Sequence, residues 1–145
     1  MSTNHTPNYN LCQWEATDQV LRSDFNQDNA KIDAALAGIP KIAWGSYTGD
    51  GAETRTISLP FTPKALLVIR NDGCTYTSIH NNSGEFLLFV GGLAVEGSPV
   101  TTSGHNSVAI VENGFQVAQY DVPGLETLRL YANWTNSVYN YLALG

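Results

Sequence analysis

The feature that most limits this chain is a change of period near residue 41. Upstream, apolar residues recur three or four positions apart; downstream they alternate in twos. The downstream stretch breaks into nine short candidate strands: 42–49, 53–60, 64–71, 75–80, 85–92, 107–113, 114–120, 126–133 and 137–145. Turn chemistry marks the joints: GDG at 49–51, NDG at 71–73, NNSG at 81–84, SGHN at 103–106, ENG at 112–114, PG at 123–124 and NWTN at 133–136. Short strands with turn signals about every 8–12 residues predict an antiparallel, jelly-roll-like β-sandwich over 41–145. ALLVI (65–69) and FLLFV (86–90) are continuous apolar runs. They predict strands covered on both faces, or on one face by a partner subunit.

The upstream part divides in two. Residues 1–12 are polar and read as a flexible leader. Residues 13–40 read as a helical oligomerisation and attachment segment. Within it, QWEATDQVLRSDFNQDNAKIDAAL (13–36) is one amphipathic helix with Thr17 as N-cap, Asp18 in the first turn, and Gly38 and Pro40 as stops. Leu21, Phe25, Ile32 and Ala35 fall on d, a, a and d of one heptad frame, with Asp28 on the intervening d. This narrow seam packs either across the chain's own β domain or against copies of itself in a short parallel bundle. The polar opposite faces, together with a polar core position that sets register, favour the bundle. Two heptads alone are marginal, so the β domains would have to associate as well.

Charge is scarce. Only 14% of residues are charged, against roughly 25% in average domains. Asn, Thr, Ser, Gln and Gly must therefore supply the polar surface, as on β proteins that meet glycans. The net charge is −6 and the basic residues form no stripe, so no nucleic-acid partner is expected. No apolar run reaches the ~20 residues of a membrane helix. MSTNHTPNYN has neither a charged n-region nor an apolar h-region, so no Sec-type leader is expected. Cys12 and Cys74 are too few for a disulfide framework and read as free thiols.

Catalytic templates fail. No HExxH, CxxC or GxSxG is present, and GGLAVEG (91–97) lacks the Lys-Ser/Thr of a phosphate loop and reads as an ordinary loop. His80 and His105 lie near turns without companion ligands, so neither a metal nor a cofactor is expected. The carboxylates Asp50, Glu53, Asp72, Glu85, Glu96, Glu112, Asp121 and Glu126 sit mostly in turns, none in an apolar setting that would tune it for acid work. The chain reads as non-enzymatic. Aromatic residues are more informative. Trp134 stands in the turn NWTN, where it either stacks on a sugar or plugs one end of the sandwich. Tyr139 and Tyr141 share one face of their strand, opposite Val138, Asn140 and Leu142, and one of the two sets must be core. Trp134, Tyr139, Tyr76 and His105 are the candidate ligand-contacting residues. The sequons at Asn4, Asn81 and Asn133 carry little weight without a secretory signal.

The N-terminal stretch NYNLCQWEATDQVLRSDFNQDNAKIDAAL resembles the start of tail-fibre and receptor-binding-type proteins of phages and prophages of Gram-positive bacteria. The resemblance rests on Asn8, Tyr9, Asn10, Leu11, Trp14 and Asp18, then on Asp24, Phe25, Asn26, Lys31, Ile32, Asp33 and Ala35. GSYTGDGAETRTISLPFTPKALLVI (45–69) is similar to the opening of that family's β domain, and YNYLALG to its closing strand. Cys12 departs from the polar or small residue usual there, and 71–125 match least. The resemblance implies a virion tail protein made in the host cytoplasm. It implies a homotrimer whose N-terminal part faces other tail or baseplate proteins. Its β domain would face a host cell-surface polysaccharide or teichoic acid. The alternative is a purely structural baseplate or tail decoration. The trimer interface would be Leu21, Phe25, Asp28, Ile32 and Ala35.

Overall fold

The computed structural model describes residues 1–82, 84–125 and 127–145 and divides into two compact units, Met1–Pro40 and Lys41–Gly145. Ser83, within the turn expected at 81–84, and Glu126, among the carboxylates and at the start of the strand expected at 126–133, lie outside the described residues.

In the first unit, β1 (Asn4–His5) pairs antiparallel with β2 (Cys12–Gln13). The turn between them is closed by Thr6, whose N–H donates to the Leu11 carbonyl at 2.8 Å and whose Oγ1 accepts the Leu11 N–H at 3.0 Å. The stretch expected as a flexible leader, 1–12, thus holds nearly all of a small hairpin: β1, the turn and the first residue of β2.

Helix α1 (Arg22–Ala37), the single helix among the described residues, is shorter than the one expected over 13–36. Thr17 is not its cap. The residue before it, Leu21, is extended and makes no side-chain cap bond. The cause is Asp18. Its carboxylate accepts the N–H of Glu15 at 2.8 Å and of Thr3 at 2.9 Å, closing residues 15–18 into a turn tied to the N-terminus. An Asp at that spacing caps a turn as readily as a helix. Asp28 has polar partners inside its own unit. Its carboxylate accepts the Cys12 N–H at 2.8 Å and the Lys31 ammonium at 3.1 Å, within its own unit. Helix α1 contains no buried residue, and Phe25, Ile32 and Leu36 are exposed.

The second unit is mainly β and sandwich-like. Its strands are β3 (Ile42–Thr48), β4 (Thr54–Ser58), β5 (Ala65–Arg70), β6 (Tyr76–Asn81), β7 (Gly84–Phe89), β8 (Gly92–Val95), β9 (Val100–Thr102), β10 (His105–Val111), β11 (Gly114–Asp121), β12 (Leu128–Tyr131) and β13 (Val138–Leu144). One sheet runs β3-β13-β5-β8. The other runs β6-β7-β12-β11-β10-β9, with β4 also on β11. The ENG turn carries the chain from β10 into β11 with Asn113 at φ 51°, a left-handed position that Asn tolerates. One pair breaks the antiparallel expectation: β12 runs parallel to β7, with Leu128 opposite Leu87 and Leu130 opposite Phe89.

GGLAVEG is not a loop, because Gly92–Val95 forms β8 and pairs with β5. Its glycines allow the close approach. A Cβ on Gly91 would lie 2.2 Å from the Val68 carbonyl, and one on Gly92 would lie 2.8 Å from a Val100 methyl. Runs of a few residues with little alternation leave no period to read, so β8 and β9 escape the sequence pattern.

The core between the sheets gathers Leu66, Val68, Leu88, Val90, Val108, Phe115, Val117 and Tyr139, all without exposed surface. Tyr139, Tyr141 and Ala143 turn inward from β13, and Asn140, Leu142 and Leu144 turn outward. Strand β7 is covered on both faces. Leu88 joins the main core, while Leu87 and Phe89 pack on a second cluster of Val122, Leu128 and Leu130. Strand β5 is not covered on both faces: its outward residues Leu67 and Ile69 are only half-buried.

Candidate functional site

Where the core comes to the surface along β6, β7 and β12 it leaves a groove of about 190 Å³. Ile79 and Asn81 come from β6, Phe86 and Leu88 from β7, Arg129 and Tyr131 from β12, and Trp134 from the turn that follows. Leu88 is fully buried and forms the floor. Phe86, Tyr131 and Trp134 are half-buried and pack on the core with part of each ring in solvent. The Tyr131 and Trp134 rings lie 5.1 Å apart, tilted by 54°. The alternation of β12 places Arg129 and Tyr131 on the groove side, and Leu128 and Leu130 on the other.

Polar groups edge this apolar floor. The Arg129 guanidinium sits 4.4 Å above the Phe86 ring, a cation over a π face. Its Nη1 donates to both Asp121 oxygens at 2.8 Å and to the Tyr131 hydroxyl at 3.2 Å. The Tyr131 hydroxyl donates in turn to Asp121 Oδ1 at 3.3 Å. Tyr131 and then Asp121 hold the guanidinium's pKa above its ordinary value. The ion pair is fixed in geometry and electrically neutral as a pair. Asp121 is the carboxylate bonded to Arg129 of this lining. Also among the described residues, no group of three His, Cys, Asp or Glu is placed to hold a metal ion.

The groove is braced from beneath. Tyr139 has no exposed surface, and its hydroxyl donates to the Tyr131 carbonyl at 2.5 Å and accepts the Trp134 N–H at 3.1 Å. One buried phenol therefore sets the backbone under both groove aromatics. Its ring stacks on Tyr47 at 5.0 Å, and the Tyr47 hydroxyl donates to the Ala132 carbonyl at 2.6 Å. Burial pushes both phenols above their ordinary pKa, so both stay neutral donors. Asn133, also fully buried, locks the turn to the β3–β4 loop. Its Nδ2 donates to Asp50 Oδ1 at 2.6 Å and to the Ala52 carbonyl at 3.0 Å. The sequon at Asn133 is thus closed to modification in the folded chain.

Of the four candidate residues, Trp134 lines the groove and Tyr139 supports it from inside as a core residue. Tyr76 and His105 are elsewhere. Tyr76 packs edge-on against Phe89 at 5.4 Å, and His105 against Tyr120 at 5.5 Å, both with the second cluster on the far face of the sheet. Sequence reasoning missed Arg129, Phe86 and Ile79 as members of the site. The alternation in TLRLYAN already placed Arg129 beside Tyr131 on one face; Phe86 reaches them only through the parallel β7–β12 pair, which no local pattern announces.

Fold and groove define a class: a mainly-β, sandwich-like unit with an aromatic-lined surface groove, preceded by a hairpin-and-helix unit. Comparison with protein-family models, with curated proteins and with solved structures finds no match for this chain.

Proposed function

We propose that this chain is a phage tail-appendage protein, of the tail-fibre or receptor-binding type, that attaches to a host cell-wall polysaccharide without cleaving it. The observation that carries the reading is the pairing of Tyr131 and Trp134 over an apolar floor beside a neutralised Arg129–Asp121 pair. Half-exposed rings cover the apolar face of a sugar while amide, guanidinium and carboxylate satisfy its hydroxyls. Asp121 cancels the Arg129 charge and the chain carries a net −6, so the groove favours a neutral sugar over the phosphodiester of a teichoic acid. The groove is below the ~300 Å³ of pockets that engulf a drug-sized ligand, so each site suits one ring of a polymer and binds weakly. Three copies, joined through Leu21, Phe25, Asp28, Ile32 and Ala35 of a short helical bundle, gain strength through effective concentration. The resemblance of 8–36 to tail-fibre N-termini supports the virion setting.

The test is pull-down of the full chain by Gram-positive cell walls, and by walls stripped of teichoic acid. Retention on the stripped walls is expected, with a loss of about tenfold in affinity for Trp134→Ala and for Arg129→Gln. Equal binding by both variants, or no binding to walls, overturns the reading. The second reading, a structural baseplate or tail decoration, is favoured by the exposed apolar side chains of α1. It predicts virion binding that survives both groove substitutions.

A further inference from the structure

The outer face of the four-stranded sheet is apolar in a way the fold itself does not use. Register aligns Trp44, Leu142, Leu67 and Leu93 in one row across β3-β13-β5-β8, and Ile42, Leu144, Ala65 and Val95 in the next. The rows are adjacent, so their side chains form one patch rather than scattered singletons. Exposure is high for its largest members, at 77% for Trp44, 64% for Leu93 and 55% for Ile42. Val95, Leu142 and Leu144 are also exposed. None of the outward positions of these strands carries Lys, Arg, Asp or Glu, so nothing on the face discourages association.

We propose that this face is where copies of the chain pack on one another. Area argues for a macromolecular partner. The six large side chains present on the order of 700 Å² of apolar surface, above the ~300–600 Å² of a typical monomer's largest patch and near the ~800 Å² each partner gives a standard interface. Chemistry argues for a second copy of this chain. A face of Leu, Ile, Val and Trp without charge is complementary to itself, and an uncharged sheet face matches the apolar composition of homo-oligomer interfaces. The ALLVI run then has its explanation: Leu66 and Val68 serve the chain's own core, and Leu67 serves a neighbour's.

The inference does not depend on the glycan reading, and its test separates it from the helical bundle. Sedimentation or light scattering on a dilution series of the full chain compares wild type, Trp44→Asp/Leu93→Asp and Phe25→Asp. These side chains are exposed, so circular dichroism and thermal unfolding of the dilute variants are expected to match wild type. Wild type is expected at a multiple of the 15.7 kDa of one chain, twice that mass where the faces pair alone. The sheet variant is expected to dissociate at about tenfold higher concentration or more. Loss of association in the sheet variant but not in Phe25→Asp supports the sheet face and overturns the bundle. Unchanged dissociation in the sheet variant, or a monomeric wild type at high micromolar concentration, overturns the proposal.

Discussion

Tyr139 shows how much one side chain can organise. Its hydroxyl is the only polar atom of a fully buried ring, and it satisfies a carbonyl and an N–H on either side of the β12–Trp134 turn. Tyr139→Phe keeps the ring and removes both bonds. A buried carbonyl and N–H left unpaired cost about 1–3 kcal/mol. Denaturant unfolding should show a loss in that range with little change in slope, and wall binding should weaken although no groove surface is altered. Part of this was legible in the sequence. Alternation put Tyr139 and Tyr141 on one face but left open which face was inside. Trp134 stood out because a turn does not need a large ring. The phenol's partners were hidden, because a bond from β13 to the turn before it depends on the tertiary path rather than on spacing.

At the scale of elements, nine of the eleven described strands of the second unit were legible, and the helix boundary was not. Period-two patterning and turn residues located nine strands, because a half-buried strand must alternate and its turn must use Asn, Asp or Gly. The helix start failed because Asp18 and Thr17 resemble a cap, and nothing in the sequence tells Asp18 to close a turn onto Thr3 instead. Helix α1 is 16 residues long with no buried side chain, too short to hold itself firmly in water. Under the proposed bundle its helical signal should depend on concentration. Circular dichroism at 222 nm should fall on dilution while near-ultraviolet bands from the core tyrosines persist. Loss of both signals at one concentration would show that helix and sandwich do not separate in this way.

The whole molecule has an acid-sensitive side. Arg70, then the Cys74 N–H, hold the Asp72 carboxyl down at about 2. Asp18, Asp28 and Asp50 are also lowered, chiefly by backbone N–H groups of Glu15, Cys12 and Ala52 respectively. Each is more acidic folded than unfolded, where carboxyls titrate near 3.9. The folded state therefore binds fewer protons, and the stabilisation is present above about pH 4 and lost as pH falls towards 2. The melting temperature should be flat from neutrality to about pH 5 and decline below it. An NMR titration should place the Asp72 midpoint near 2, and Arg70→Ala should move it up towards the ordinary value.

The parallel β7–β12 pair has a consequence for how the chain matures. The groove draws on Ile79 to Leu88 and on Arg129 to Trp134, and β8 to β11 are laid down between them. A parallel pairing across so long a connection is slow to form and cannot be nucleated by a local turn. Under the proposed function, ligand recognition is thus withheld until nearly every strand is in place: a nascent or half-folded copy would be blind to its target, and wall binding would double as a readout of complete folding.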